Sequence, residues 1–237
     1  MPKLTVAIPN YNGGDNLKRS IESCLTIQMS ENDYEILIVD NKSTDNSIDI
    51  VNEMQKKFTN IRLIQNEKNL GRIQNWNVSI EKAQGRYLIF LFANDLINEK
   101  NNIHESIQNL DSDQTISICV SSLLKKEKSR QYIKKAYFDK IIKCSSKKFA
   151  SNCLNRGLLP FGPIQSIIYR LDDIKNDQNK FLTDMPINAD EIFTYKEACK
   201  RDRILFNPNP QITWDLTQGR FHGQMKIEDE FKEHSET

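Results

Sequence analysis

The chain lacks any apolar run approaching the ~20 residues that a membrane-spanning helix needs. Met1-Pro2-Lys3 leads straight into LTVAI rather than into the long apolar segment of a secretory leader. A cytoplasmic protein is the expectation. Cysteine is scarce: Cys24, Cys119, Cys144, Cys153 and Cys199 are odd in number and widely spaced, with no CxxC pair. That pattern argues against a disulfide framework and a zinc knuckle and leaves buried, reduced thiols. Net charge is almost absent, since 33 Lys and Arg face 32 Asp and Glu. No global field draws nucleic acid, and partners must be read locally. Repeats and low-complexity linkers are missing, and 237 residues suit one substantial α/β core better than two. Glycine offers only Gly13-Gly14 near the first apolar run. This is too little for the glycine-rich phosphate loop expected of a nucleotidyltransferase.

What the chain does have is an alternation of strand-like and helix-like segments, the pattern of a parallel sheet. Leu4–Ile8 reads as a strand, followed by a helix that Asp15 can cap and that turns Leu17, Ile21 and Leu25 to one face. Glu35–Val39 is the second strand. Ser43, Thr44 and Asp45 then suit the start of a helix with Ile48, Val51, Met54 and Phe58 as its stripe. Ile61–Ile64 is a third strand, and Leu70–Ala83 a helix stopping at Gly85. Arg86–Phe92 is apolar enough for the centre of a sheet. Ile103, Ile107 and Leu110 mark a short helix, and Ile116–Leu124 and Ser166–Tyr169 two more strands. Asp190–Cys199 reads as a helix, with late strands at Ile204–Phe206 and Ile212–Trp214. Lys125–Lys148, rich in lysine, is expected to be a solvated connection or a surface for an anionic partner such as a membrane face. The charged composition of 226–237 suits disorder.

Three apolar runs end in polar clusters: LTVAI in Pro9-Asn10-Tyr11-Asn12, EILIV in Asp40-Asn41-Lys42-Ser43-Thr44, and YLIFLF in Ala93-Asn94-Asp95. Ligands of open α/β sheets bind beyond the carboxyl ends of strands, so the repetition describes a site assembled from several loops.

The succession TVAIPNYN, EILIVDNKSTDNS, IRLIQNEKNLGRIQNWNVSIEKAQGRYLIFLFAND and INADEIFTYKEACKRDRILFNP resembles the family 2 glycosyltransferases, nearly throughout the chain to about His222. The resemblance implies a single GT-A domain over 1–225, with a Rossmann-like, mostly parallel central sheet flanked by helices. Residues 1–95 would form the nucleotide-sugar half and 96–225 the acceptor half. It also implies an inverting, bacterial-type enzyme that moves a sugar from a nucleotide-sugar donor, UDP-linked in the modal case, to a hydroxyl of a surface glycan or lipid-linked oligosaccharide. Mn²⁺ or Mg²⁺ often assists.

The chemistry of such a transfer can be matched to residues. The turn at Pro9, Tyr11 and Asn12 offers an aromatic face and polar edges for a base, with Tyr11 as the stacking residue. Asp40 stands where the family binds base or ribose; capping of the next turn is the alternative. Arg72 and Asn75 lie near a base or diphosphate position and also suit ordinary helix residues. In the DxD-like stretch only Asp95 keeps a carboxylate. Phe92 cannot ligate and Asn94 offers a neutral amide, so the metal site carries less charge than usual. His222 is either a late ligand or a surface residue. Asp190 matches the family's catalytic base. Ala189 stands where a Glu is usual, so Glu191 is the reserve, although an acidic pair at a helix N-terminus also explains both. Leu159–Gln165, with Gly162 and Gln165, resembles the loop that frames the acceptor. The eroded DxD motivates one competing reading, a noncatalytic sugar-nucleotide or glycan-binding protein.

Overall fold

The computed structural model describes residues 1–128, 130–134, 138–155, 161–185 and 187–217. Its first half is a run of strand–helix units: β1 (Leu4–Asn10), α1 (Gly14–Cys24), β2 (Tyr34–Asp40), α2 (Ser47–Gln55), β3 (Ile61–Gln65), α3 (Arg72–Lys82) and β4 (Tyr87–Phe90). These four strands pair in parallel, in the order β3-β2-β1-β4. Every residue of β2 and β4 is buried, as continuous apolar runs require when helices cover both faces of a parallel sheet.

The second half continues the same sheet. It adds β5 (Asp95–Ile97), α4 (Ile103–Ser112), β6 (Ile116–Lys126), β7 (Gln131–Lys134), β8 (Ile142–Ser145), α5 (Ser146–Leu154), β9 (Ile167–Arg170), α6 (Leu171–Asn176), α7 (Ala189–Ala198) and β10 (Arg203–Asp215). The order runs on from β4 through β9, β6 and β10 to β5, with β7 on β6 and β8 on β10. β9 is antiparallel to both β4 and β6, whereas β6 and β10 are parallel to each other. Six of the ten strands among the described residues therefore point one way, and one sheet unites both halves as a single domain.

Two apolar layers flank it. One joins β1 to Leu17 and Ile21 of α1, Val51 of α2 and Ile107 of α4. The other packs Ala7, Leu37 and Phe90 under Trp76 of α3, Ile174 of α6 and Phe193 of α7. The five cysteines are free, three of them buried, and burial pushes the Cys119 thiol up to about 12. Among the described residues no helix is long and apolar enough to cross a membrane.

Several local expectations need correction. Asp15 does not cap α1. It lies in the first turn, while Gly13 occupies the cap and the Gly13 and Gly14 N–H groups donate to Ser47 Oγ at 3.1 Å. On α2 the buried stripe is Ser47, Val51 and Met54, and Ile48 and Phe58 are only half-buried. The strand after α3 is shorter than Arg86–Phe92, because the chain turns where Asp95 N–H donates to Phe92 O. Lys125–Lys148 is not merely a connection: β7, β8 and the start of α5 lie within it.

β10 is irregular for a reason visible in NPNPQ. Pro208 and Pro210 cannot donate to a ladder, and the register with β6 slips on either side of Pro210. Before the slips β10 pairs with β8, and after them with β5. Side-chain amides take over locally, with Asn207 and Gln211 both donating to Ser106 Oγ on α4.

Gly85 does not terminate α3, whose last helical residue is Lys82. Its N–H donates to Thr5 Oγ1 at 2.8 Å, and Thr5 in turn donates to the buried Glu35 carboxylate. The missing side chain lets the backbone lie on β1: an added Cβ would overlap Thr5 N and come within 2.6 Å of Leu4 C. Backbone cannot move aside as a side chain can, so Gly85→Ala is expected to cost about 3 kcal/mol or more of unfolding free energy in a urea titration. A loss below ~0.5 kcal/mol would show that the contact relaxes freely.

Candidate functional site

At the carboxyl ends of β1 and β2, one aspartate organises the turn. Asp40, 1% exposed, accepts Asn10 Nδ2 at 2.8 Å on Oδ1 and Ser43 N–H at 2.9 Å on Oδ2, with the Ser43 hydroxyl also donating to Oδ1. Ser43 Oγ accepts Asn12 N–H, and Asn12 Oδ1 accepts Thr44 N–H. The two turns are thus tied to each other. Both pass through left-handed backbone, Asn12 at φ 52° and Lys42 at φ 66°. Asparagine tolerates that region, whereas at a lysine it costs roughly 1–2 kcal/mol. Gly13 is packed so closely that a Cβ there would overlap Asn10 Oδ1.

A second amide network joins β2, the β3–α3 loop and α3. Asn41 Nδ2 donates to Asn69 Oδ1 at 2.7 Å, and Asn41 Oδ1 accepts Asn66 Nδ2 and Leu70 N–H. Asn75 is spent inward, donating to Val39 O and accepting from Asn66. Asn75 is therefore a buried structural residue in this structure rather than an exposed helix position. Pro9 and Asn10 belong to β1, so the turn proper starts at Tyr11, which is 40% exposed beside exposed Asn12, Lys42 and Thr44. The Arg72 guanidinium lies 5.2 Å from the centre of the Trp76 ring. Trp76 packs 5.3 Å from Phe92, which puts an aromatic contact at the first position of the DxD-like stretch.

The third cluster lies past β4. Asp95, 2% exposed, sits with Gln165 and Asp215. Burial, and next the Asp215 charge, push the Asp95 carboxyl up to about 8, against hydrogen bonds from the Gln165 side chain and the Asp215 backbone. Asp215 goes the other way. Burial opposes its ionised form, but hydrogen bonds from Thr217 and Arg19 outweigh it and hold the carboxyl below its ordinary value. Arg19 NH2 lies 3.0 Å from Asp215 Oδ2. Asp215 and Arg19 were not among the residues the sequence reading singled out. The signal for Asp215 was present, a carboxylate ending the last strand, as Asp40 ends β2.

Gln165 lies in a 3₁₀ turn, Ile164–Ser166, which packs against β4, β6, β10 and α7. Gly162, just before it, has φ 73°, a left-handed conformation that favours glycine. Asp190 and Glu191 form the first turn of α7. Burial, with the Asp190 charge second, raises the Glu191 pKa. Further along α7, Thr194 Oγ1 shares a 2.6 Å hydrogen bond with Tyr169 OH of β9. Asn94 is half-buried beside Asp95. His222, the charged tail and the Leu159-Pro160 part of the acceptor loop lie outside the described residues. The strand-end residues Asn10, Asp40, Asn41 and Asp95, and Asn75 of α3, are each at most 3% exposed. An open cavity of about 680 Å³ lies at the other end of β10, beside Lys143, Lys147 and Arg203.

The family model described as Glycosyl transferase family 2 matches residues 5–175. The chain is 38% identical over 96 residues to a poly(ribitol-phosphate) beta-glucosyltransferase of Bacillus spizizenii, covering 40% of this chain and 15% of that protein. It is 30% identical over 141 residues to the poly(ribitol-phosphate) beta-N-acetylglucosaminyltransferase TarP of Staphylococcus aureus, covering 59% and 42%. The chain thus spans less than half the length of these curated relatives. Among solved structures it resembles S. aureus TarS 1-349 in complex with UDP, with a TM-score of 0.76 at 19% identity over 98% of this chain and 63% of that one. It also resembles the mannosyltransferase PcManGT of Pyrobaculum calidifontis in complex with GDP-Man and Mn²⁺, with a TM-score of 0.65 at 15% identity over 93% and 58%. These likenesses establish the GT-A fold.

The raised Asp95 carboxyl makes stability depend on pH. Folded, the group holds its proton to about pH 8; unfolded, it releases it near ~3.9. The native state binds more protons between those values, so stability falls as pH rises through them. With divalent ions chelated, unfolding free energies should decline from about pH 4 to about pH 8, by at most about 1.4 kcal/mol per pH unit from this group. Asp95→Asn should flatten the decline, and an equally steep slope in the variant would assign it to other groups.

Proposed function

The chain belongs to glycosyl transferase family 2, and on that premise we propose that it transfers a sugar from a nucleotide-sugar donor to a hydroxyl of a glycan acceptor with inversion at the anomeric carbon. The observation that carries this reading is the cluster of Asp95, Asp215 and Gln165 at the same edge of the sheet as the Asn10–Asp40 turns. A leaving group and an incoming hydroxyl need to meet at such an edge.

Tyr11 offers an exposed ring for the base, with Asn12 and Asp40 beside it. Arg72, above Trp76, and Asn94 offer a cation and an amide for the diphosphate. UDP is the favoured nucleotide, because TarS is described in complex with UDP and with UDP-GlcNAc. Asp95 and Asp215 supply two hard oxygen donors within electrostatic reach of each other, a donor set that suits Mg²⁺ or Mn²⁺. Among the described residues no group of three or more His, Cys, Asp or Glu gathers as a metal site, so the diphosphate itself would complete the coordination. When bound, the ion supplies Lewis-acid neutralisation of the departing diphosphate.

The acceptor oxygen attacks the anomeric carbon as the bond from that carbon to the phosphate oxygen breaks. The hydroxyl proton passes to a carboxylate at the start of α7, Asp190 first and Glu191 in reserve. Glycan acceptors are favoured by the relatives, which act on poly(ribitol-phosphate). A cytoplasmic setting, reaching a lipid-linked or surface polymer at the membrane's inner face, fits such substrates. A noncatalytic sugar-nucleotide-binding protein is the second reading, favoured by Phe92 packing on Trp76 where the DxD pattern has its first carboxylate.

A panel of UDP-, GDP- and dTDP-sugars with Mn²⁺ separates the two readings. Turnover with at least one donor is expected, and a stabilising thermal shift without turnover would favour the binding protein. Asp190→Asn should lower transfer by ~10²–10⁴-fold while the donor still raises the melting temperature. Undiminished transfer would move the base to Glu191, tested by Glu191→Gln.

A further inference from the structure

One row of side chains next to Asp95 has no part in the reading above. Trp214 of β10 is the register partner of Asp95 on β5 and of Lys125 on β6, and Lys125 is the partner of Tyr132 on β7. Partners across neighbouring strands present their side chains side by side. Asp95, Trp214, Lys125 and Tyr132 therefore form one line across four strands. The Lys125 ammonium lies 5.5 Å from the centre of the Trp214 ring and 5.6 Å from that of Tyr132, seated between two aromatic faces. Arg130 stands 4.8 Å from the Tyr132 ring on its way to Glu127.

The charge at the Lys125 end of this line is predominantly positive, whereas its other end carries the acids Asp95 and Asp215. Residues 125–134 hold Lys125, Lys126, Lys128, Arg130 and Lys134 against Glu127 alone. That carboxylate is shared by Lys125 at 2.9 Å and Arg130 at 2.9 Å. Two half-buried aromatic rings give a sugar ring or polyol chain an apolar bed with polar tips. Four of the five cations are lysines, compact point charges suited to phosphate, and with only Glu127 to balance Lys125 and Arg130 the segment keeps an excess of positive charge.

We propose that this row is an acceptor subsite for a phosphate-bearing glycan or polyol chain. The chain lies against Trp214 and Tyr132, its phosphate meets Lys125, and its free hydroxyl points to the Asp95 end. The assignment of an acceptor role rests on the transfer reading above, whereas the ligand chemistry rests on the row itself.

Calorimetric titration of the full chain with a synthetic ribitol-phosphate hexamer, hexagalacturonate and maltohexaose tests it. The phosphate hexamer should bind at least about tenfold more tightly than either of the others. Its affinity should fall about tenfold in Lys125→Gln, vanish in Trp214→Ala and survive in Trp214→Phe. Raising NaCl from about 50 to about 200 mM should weaken wild-type binding, a readout that stands even if a variant fails to fold. Equal binding of maltohexaose, equal binding of hexagalacturonate, or indifference to both salt and Lys125→Gln would overturn the proposal. Selective phosphate binding without turnover on any donor would sink the transfer reading and leave the subsite standing. Turnover onto neutral glycans without phosphate preference would do the reverse.

Discussion

The geometry of this protein depends on a buried carboxylate that is solvated by protein instead of water. Asp40 ends a strand with no exposed atom of consequence, and such a charge is tolerated inside only when hydrogen bonds replace its hydration. Asn10 and the backbone and hydroxyl of Ser43 supply them. Because these donors come from two different strand ends, solvating the charge also clamps the ends together. The amide network of Asn41, Asn66, Asn69 and Asn75 extends the clamp to the third strand and the start of α3. The loops above the sheet inherit their positions from groups below them that a ligand would scarcely touch.

A different balance governs the far side of the edge. Asp95 and Asp215 are two buried acids placed together, and the protein splits their behaviour by giving Arg19 and Thr217 to Asp215 alone. Pairs whose environments push their affinities for a proton apart are a mark of functional sites, though structural networks produce them too. Here the pair sits where the end of β10 meets the edge strand β5, just past the chain's exit from β4.

Much of this was legible in the linear sequence, and the exceptions have physical causes. Long apolar runs and four-residue spacings located β1, β2, β4, β6 and the helices between them, since burial on both faces leaves a composition that is hard to mistake. Short strands such as β5, β7 and β8 carry three or four residues each, too few for a periodicity to stand out from loop composition. Strand tips stand out as a candidate site because polar residues recur after apolar ones. The inward commitment of Asn75 was not legible, and that of Asp40 was legible only as one of two alternatives, because an amide or carboxylate has the same spelling whether it faces a ligand or a neighbouring backbone group. Gly85 shows the same ambiguity: a glycine after a helix suggests a terminator, and only the approach of β1 reveals that space, not conformation, excludes a side chain.

The prolines of β10 have a mechanical consequence. With Pro208 and Pro210 at the register slips, the strand is hydrogen-bonded to β8 on one stretch and to β5 on the other, with a discontinuity between. A displacement that begins among Ile212, Thr213 and Trp214 meets a break before it reaches Arg203–Phe206. The end of the strand beside Asp95 is therefore set apart, by the slips on either side of Pro210, from the stretch that pairs with β8.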